Sequence, residues 1–179
     1  MMNEGGFTPT RFKTISRLEW ENGNKKSLVE NCLNFVETPL VIRPANQGSS
    51  IGVSIIHENN FQKISEAINR AFFFYEWKAS DWKLKSEEEK ITFLTHLCDI
   101  RENIGLPALV NGKKYFHPEE LFDLFETSTA KNISSLILEA EDAETEILIE
   151  EFIEGKEFSC IVLADDAGRP IALPPTEIV

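Results

Sequence analysis

The sequence predicts an α+β fold, because helical and strand-like patterns both occur along the chain. One stretch, residues 61–75, repeats apolar side chains at helical spacing. Short apolar runs bounded by turn residues have the length and composition of strands. We therefore expect a small antiparallel sheet packed on helices, with a helical excursion between two of its strands. The strand-like runs are 40–42, 53–56, 147–149 and 158–163.

The first part of the chain carries the clearest periodic signals. Residues 7–20 contain a turn signal and then short mixed runs that are consistent with a first strand. Residues 27–36 repeat apolar side chains at helical spacing until a Thr-Pro pair stops the pattern. The helix over 61–75 is predicted to begin at Asn59 or Asn60 as N-cap. Its apolar stripe is more typical of core packing than of a ligand site.

Residues 76–146 change character and interrupt the connection between a helix and a strand. They are strongly charged, with aromatic residues spaced among helix-like runs. Ser86 with Glu89 has the form of a capping box, and Pro118 suits the first turn of a second helix. A third helix is predicted at about 129–138. Because long structureless connections are rare, we interpret this region as a helical insertion in a single domain.

Composition and charge exclude several classes of protein. No apolar run approaches the roughly 20 residues that span a bilayer, and no secretory signal is visible, so we expect a cytoplasmic protein without membrane segments. The formal net charge is -12. Only 3 of the 18 basic residues, but 16 of the 30 acidic ones, lie from Pro118 onward, which argues against nucleic acid as a partner. This acidic half either maintains solubility or meets a basic surface or cation outside the chain.

The three cysteines, Cys32, Cys98 and Cys160, are odd in number and far apart, and each has apolar neighbours. This pattern predicts buried free thiols rather than a disulfide framework. The histidines stand near no cysteine pair, so the sequence predicts no metal site in this chain.

Residues 47–52, QGSSIG, have the composition of a phosphate-binding loop. Glycines let the backbone approach a ligand closely, and backbone N–H groups and serine hydroxyls supply hydrogen-bond donors. Arg43, shortly before the loop, offers a forked positive charge. The loop is neither a Walker loop nor a dinucleotide fingerprint. On the residues alone, an ordinary flexible turn is an equal alternative.

Residues 147–163 form the second candidate wall of the same site. Adenine needs backbone donors and acceptors along an extended strand edge, and ribose needs a carboxylate. A strand edge followed by a further glutamate offers both, although simple alternation would make Glu150 and Glu157 solvent-facing strand residues. The candidate residues of this wall are Glu150, Glu151, Phe152, Ile153 and Glu157.

Together the segments PLVIRPANQGSSIGVS at 39–54 and ILIEEFIEGKEFSCIVL at 147–163 resemble the D-alanine–D-alanine ligase family of the ATP-grasp superfamily. In that family an apolar strand with a basic residue and Pro leads into a Gly-Ser-Ser-hydrophobic-Gly loop. A later Leu-hydrophobic-Glu strand precedes Gly-x-Glu. A weaker similarity extends over 1–75 and 147–179, where Gly6–Pro9 loosely echoes an upstream turn of the family. The resemblance implies that residues 1–179 are a fragment, the first ATP-grasp subdomain, and leaves the insertion unexplained.

The resemblance also implies roles for the first segment. Ser49 and Ser50, with the N–H groups around Gly48 and Ile51, would belong to a lid loop that closes over the ATP phosphates and an acyl phosphate. Arg43 stands where the family usually has a lysine that touches the phosphates and the adenine ring. An arginine there keeps the charge but changes its shape and reach, so ATP affinity or orientation is expected to differ.

For the second segment, the resemblance implies recognition of the nucleoside. Glu150 would face the adenine amino group, and the carbonyl of Glu151 with the N–H of Ile153 would complete recognition of the base. Phe152 would pack near the base, and Glu157 would hold the ribose.

The activity implied by the resemblance belongs to a parent protein, an ATP-dependent carboxylate–amine ligase that joins two D-alanines through an acyl phosphate for peptidoglycan. Its cofactors would be ATP and Mg²⁺, with the magnesium ligands downstream of Val179. Its partners would be ATP, D-alanine and the remaining ATP-grasp half. We expect no ligase activity from the chain alone, and the sequence leaves the oligomeric state, including a homodimer, open.

Two other functions remain open on the sequence. The chain is alternatively a degenerate ATP-grasp module that binds a partner protein through Trp77, Trp82 or Phe116 of the insertion. A closer alternative is an ATP-grasp ligase for another amino acid or dipeptide.

Overall fold

Helices and antiparallel strands alternate through residues 8–178, the part of the chain that this computed structural model describes. The predicted α+β class is confirmed. The predicted turn at Gly6–Pro9 lies partly outside these residues. The strands are β1 (Phe12–Ser16), β2 (Leu40–Pro44), β3 (Ser54–Ile56), β4 (Phe74–Lys78), β5 (Ala108–Val110), β6 (Lys113–Tyr115), β7 (Ser135–Ala140), β8 (Glu146–Glu151), β9 (Phe158–Ser159), β10 (Val162–Ala164), β11 (Pro170–Ala172) and β12 (Thr176–Glu177). The helices are α1 (Arg17–Asn22), α2 (Lys25–Leu33), α3 (Phe61–Ala71), α4 (Ala79–Lys83), α5 (Glu87–Cys98) and α6 (Pro118–Ala130).

The first sheet has the strand order β1-β8-β2-β3 and is antiparallel throughout. Its register aligns Phe12 with Glu150, Glu150 with Val41, and Val41 with Ile55. Because successive side chains of a strand alternate between faces, these four residues lie in one row on one side, the open face of the sheet. The opposite face is buried and contributes Ile15, Leu40, Ile42, Ile56, Ile147 and Ile149 to the first core.

Three helices cover the buried face of this sheet. Asn60 is confirmed as the N-cap of α3, since its side chain accepts a hydrogen bond from the Lys63 N–H at 3.1 Å. The helix predicted to reach residue 75 ends at Ala71, because Phe73 takes a positive φ of 54° and the chain enters β4. The short helix α1 was not predicted, although Ser16 and Glu19 form a capping box at its start.

The segment predicted as a helical insertion contains a second sheet as well as helices. Its strand order is β4-β7-β5-β6, all antiparallel. The helix starts predicted at Ser86 and Pro118 are confirmed. The third helix, predicted at about 129–138, is wrong beyond Ala130, because β7 occupies 135–140. Leucines buried at every second position give that stretch the period of a strand rather than of a helix.

Aromatic side chains fill the core of the second sheet. Trp77 stacks on Phe125 with ring centroids 4.8 Å apart, and Trp82 meets Phe125 edge-on at 5.1 Å. Both tryptophans are buried, so the prediction that Trp77 or Trp82 contacts a partner protein is wrong. Phe116 is exposed. Within residues 8–178, no helix is both long and apolar enough to cross a membrane.

The chain after β8 forms two small ladders, in which β10 pairs with β11 and β12 pairs with β9. The single strand predicted at 158–163 is therefore split between two ladders. The predicted turn at 165–168 is confirmed, since the Gly168 N–H donates to the Asp165 carbonyl at 2.9 Å. The strands of both ladders are exposed along their whole length.

The cysteines differ in their surroundings more than the sequence indicated. Cys32 is buried as predicted, and Cys98 is half-buried. Cys160 is exposed, so the prediction of a buried thiol is wrong there, because β9 and β10 do not pack against either core.

We expect the exposed thiol of Cys160 to react much faster in the native chain than the thiols of Cys32 and Cys98. Burial raises the pKa of the Cys98 thiol to about 11 and also raises that of Cys32. A raised pKa leaves less thiolate at pH 8, roughly 100-fold less for Cys98 than at its ordinary value of 9.0. Native and urea-unfolded chain should be titrated with a thiol reagent. Fast native labelling of Cys98, identified by mass spectrometry, would contradict this expectation.

Gly52 is predicted to be far less replaceable than Gly48. Its φ is +72°, and an added Cβ would lie 2.8 Å from Pro44 Cγ. Gly52→Ala should lower the free energy of unfolding by about 1–2 kcal/mol from the left-handed backbone alone. Gly48→Ala is the matched control, because a Cβ there meets nothing within 4 Å. Urea unfolding of both variants measures the difference, and equal losses would contradict the geometry.

Candidate functional site

The open face of the first sheet brings the two predicted walls together. One row of side chains across this face holds Phe12, Glu150, Val41 and Ile55. In the neighbouring row, Arg43 aligns with Leu148. Phe12 and Ile55 are exposed apolar side chains, and Val41 is half-buried. This row therefore offers an apolar surface that carries the acidic side chain of Glu150, with the basic side chain of Arg43 beside it.

Arg43 and Glu150 form an ion pair on this face. Arg43 donates from Nε at 3.0 Å and from Nη2 at 2.6 Å, both to Oε1 of Glu150. Within residues 8–178, Oε2 of Glu150 accepts no hydrogen bond from a side chain or from the backbone. Arg43 therefore fixes the carboxylate and leaves one of its oxygens available to a ligand.

Glu151 points to a different partner. Its carboxylate accepts from the Arg11 backbone N–H at 2.9 Å and from Arg11 Nε at 2.7 Å. These hydrogen bonds, the backbone one first, hold the pKa of Glu151 below its ordinary value. Its backbone N–H also donates to the Arg11 carbonyl at 3.0 Å. The side chain of Glu151 thus holds Arg11, the residue just before β1, in place. The sequence prediction gave only the backbone carbonyl of Glu151 a contact with the adenine base.

The remaining residues of the second wall are not gathered at the ion pair. Phe152 is half-buried, its N–H donates to the Pro39 carbonyl at 3.2 Å, and its ring centroid lies 6.5 Å from that of His57. Ile153 and Glu157 are exposed. Within residues 8–178, no hydrogen bond or ion pair joins Glu157 to Arg43 or Glu150. The predicted ribose role of Glu157 stays a prediction.

The predicted phosphate loop follows β2 directly and contains two tight turns. The Ile51 N–H donates to the Gly48 carbonyl at 3.1 Å, and the Val53 N–H donates to the Ser50 carbonyl at 3.3 Å. Ser49 and Ser50 both have positive φ, 54° and 57°. They are exposed, as is Gly48, so their hydroxyl and N–H groups face solvent at the end of the sheet.

A buried carboxylate that the sequence did not single out supports this loop. Glu144 is 5% exposed, and its Oε2 accepts from Asn46 Nδ2 at 3.1 Å. Nearby, the Ala45 N–H donates to the Glu146 carbonyl at 3.2 Å. In the sequence Glu144 belongs to an acidic run with the appearance of a solvated surface, so no local signal identified it.

Removal of the Glu144 carboxylate is expected to loosen the loop without unfolding the sheet. Glu144→Leu leaves Asn46 without its acceptor, and amide hydrogen exchange at Ile51 and Val53 should accelerate about tenfold or more. Glu144→Gln is the matched control, because its amide oxygen still accepts from Asn46. Equal exchange in the wild type and in Glu144→Leu would show that the contact does not hold the loop.

Two grooves lie away from the open face. Their volumes are about 450 and 440 Å³, and they flank helix α5 on the second sheet. On the open face the carboxylate of Glu150 is already paired with Arg43, and that of its neighbour Glu151 is paired with Arg11. Residues 8–178 contain no group of three or more His, Cys, Asp or Glu side chains placed to hold a metal ion.

Comparison with known proteins finds similarity in the first part of the chain. A family model described as D-ala D-ala ligase C-terminus matches residues 1–77. A D-alanine–D-alanine ligase of Enterococcus faecalis (strain ATCC 700802 / V583) is 34% identical over 67 residues. Residues 1–77 are therefore similar in sequence to D-alanine–D-alanine ligases. Arg43 and the loop 47–52 lie in this similar segment, whereas the strand of Glu150 lies outside the family-model match.

The chain spans only a small part of its relatives. The alignment with the enterococcal ligase covers 37% of this chain and 18% of that protein. The match to the structure of a D-alanine–D-alanine ligase from Coxiella burnetii covers 99% of this chain and 30% of that chain. The identity is 14% and the TM-score is 0.46.

Proposed function

We propose that this chain supplies an adenine-nucleotide site to an ATP-dependent carboxylate–amine ligase. The observation that carries the proposal is the Arg43–Glu150 pair on the open face of the first sheet, next to the loop 47–52. The similarity of residues 1–77 to D-alanine–D-alanine ligases supports the ligase class. It includes Arg43 and the loop 47–52, and the hydrogen bonds from Arg43 to Glu150 connect this segment to β8.

On this proposal, a purine ring lies against the apolar row of the open face, where Phe12, Val41 and Ile55 supply contact area. The unpaired Oε2 of Glu150 accepts a hydrogen bond from an exocyclic amino group. Arg43 keeps the carboxylate oriented by holding Oε1. Arg43 would therefore act on the base through Glu150. Its predicted contact with the phosphates would form only when nucleotide is bound.

The exposed loop then meets the phosphates. Positive φ at Ser49 and Ser50 turns successive backbone groups outward, the arrangement that makes small anion-binding concavities. Glu144 and Asn46 hold the base of the loop, and Gly52 fits against Pro44 at its far end. The tip alone is therefore left to move over a ligand.

The parent reaction is proposed from the similarity of residues 1–77 to D-alanine–D-alanine ligases, and it extends beyond this chain. The carboxylate of one D-alanine attacks the γ-phosphorus of ATP and releases ADP, and the amine of a second D-alanine then attacks the acyl phosphate and releases phosphate. Magnesium ligands, the amino-acid site and the other ATP-grasp half are proposed to lie outside residues 8–178. The peptidoglycan role, the cytoplasmic location and the inactivity of the isolated chain are proposals of the same kind.

Nucleotide binding tests the base contact directly. Glu150→Ala is expected to weaken ATP binding by about tenfold, because it removes one hydrogen bond and leaves Arg43 unpaired. The same change should abolish any preference for ATP over ITP, which carries an oxygen in place of the amino group. Isothermal titration calorimetry of the chain measures both. Glu141→Ala, which removes an exposed ion pair with Lys114 on the second sheet, is the matched control.

Two results would contradict the proposal. The first is the absence of ATP binding by the wild-type chain, and the second is an ATP preference unchanged in Glu150→Ala. Phosphate release by the full-length parent with D-alanine or another amino acid then decides between the D-alanine ligase and a ligase for another substrate.

A second candidate function is a protein-interaction module without catalysis. It is favoured by the acidic excess from Pro118 onward and by the exposed Phe116. Burial of Trp77 and Trp82 removes two of the three side chains first proposed for the contact. ATP binding that depends on Glu150 would exclude this alternative.

A further inference from the structure

A groove of about 440 Å³ runs between α5 and α6 on the second sheet. Helix α5 contributes Ile91, Leu94 and Thr95 to it, and α6 contributes Pro118 and Phe122. Ile91 lies three and four positions before Leu94 and Thr95, and Pro118 lies four before Phe122, so each set lies on one helix face. The floor of the groove is therefore a mainly apolar strip, with Thr95 as its polar member.

The fold does not account for the outermost residue of this strip. Helix α5 is anchored by the buried side chains Leu94 and Leu97, and a capping box at Ser86 fixes its start. Ile91 is 61% exposed in the middle of the helix. A single exposed isoleucine is ordinary on a protein surface. Here it continues a concave strip with Phe122, which is the shape that accepts another side chain.

The rim of the groove is acidic and lacks a basic residue. Glu119 and Asp123 line it, and within residues 8–178 neither forms an ion pair. The lysine nearest to Phe122, Lys90, is held by Glu87 and Glu126. An apolar floor beneath uncompensated carboxylates attracts a ligand that is apolar on one side and positively charged beside it.

We propose that this groove is a docking site for an amphipathic helix of a partner protein, with lysine or arginine flanking its apolar face. A helix lying in a groove inserts side chains at intervals of three and four residues, which matches the spacing along α5 and α6. The proposal gives the acidic half of the chain a partner of defined chemistry. It does not depend on nucleotide binding.

A pair of synthetic peptides tests the proposal. The probe is a fluorescent helix of about 15 residues of leucine, alanine and lysine, with the leucines on one face. Its control has the same composition in an order that spreads the leucines around the helix. Both peptides carry the same charge, so general attraction to a chain of net charge -12 affects them equally. Fluorescence anisotropy should show at least tenfold tighter binding of the amphipathic peptide.

Two variants of equal charge locate the binding. Ile91→Lys places a cation in the groove and should weaken binding of the amphipathic peptide at least tenfold. Leu84→Lys is the matched control, because Leu84 is 86% exposed, precedes α5 and does not line the groove. Both residues are exposed, so both variants should melt at the wild-type temperature, and this is measured first.

Three outcomes would overturn the proposal. They are equal affinity for the two peptides, an equal effect of Ile91→Lys and Leu84→Lys, and self-association of the chain in sedimentation that Ile91→Lys abolishes. The last would assign the groove to a second copy of this chain.

Discussion

The pairing of β8 between β1 and β2 is the constraint on which the rest of this structure depends. It aligns Phe12 with Glu150 and Glu150 with Val41, so it joins three parts of the chain that are far apart in sequence. The interior of the first core closes through the same register, since Ile147 and Ile149 alternate with the open-face residues. A shift of one residue would exchange the buried and the open faces and would separate the Arg43–Glu150 pair.

The pairing of β4 with β7 explains how a second core fits within the chain. Strand β4 follows α3 at once and pairs with β7, which ends shortly before β8, so the segment between them leaves and returns at nearly one place. Residues at these two junctions also support the candidate site. Phe73 lies close to Gly52, and Glu144 accepts a hydrogen bond from Asn46. The loop 47–52 is therefore contacted at its end and just before its start by the connections to the second sheet.

The two proposed functions lie on different sheets. The open face of the first sheet, where an adenine nucleotide is proposed to bind, carries a fixed carboxylate among apolar side chains. The second sheet carries the grooves, and its aromatic residues are mostly used internally, as the stacked Trp77 and Phe125 show. Arg17 links the two parts, because it pairs with Glu139 of β7 and lies over the ring of Phe74.

The sequence by itself determined the elements whose signals are local. It predicted an N-cap at Asn59 or Asn60 and the helix starts at Ser86 and Pro118, because caps and turns are read within a few residues. The nucleotide roles of the two segments stay a prediction. Only the tertiary structure decided that 135–140 is a strand and that Arg43 bonds Glu150. It also decided that Glu144 is buried beneath the loop. These features depend on partners about 60 to 110 positions away along the chain, which no local pattern records.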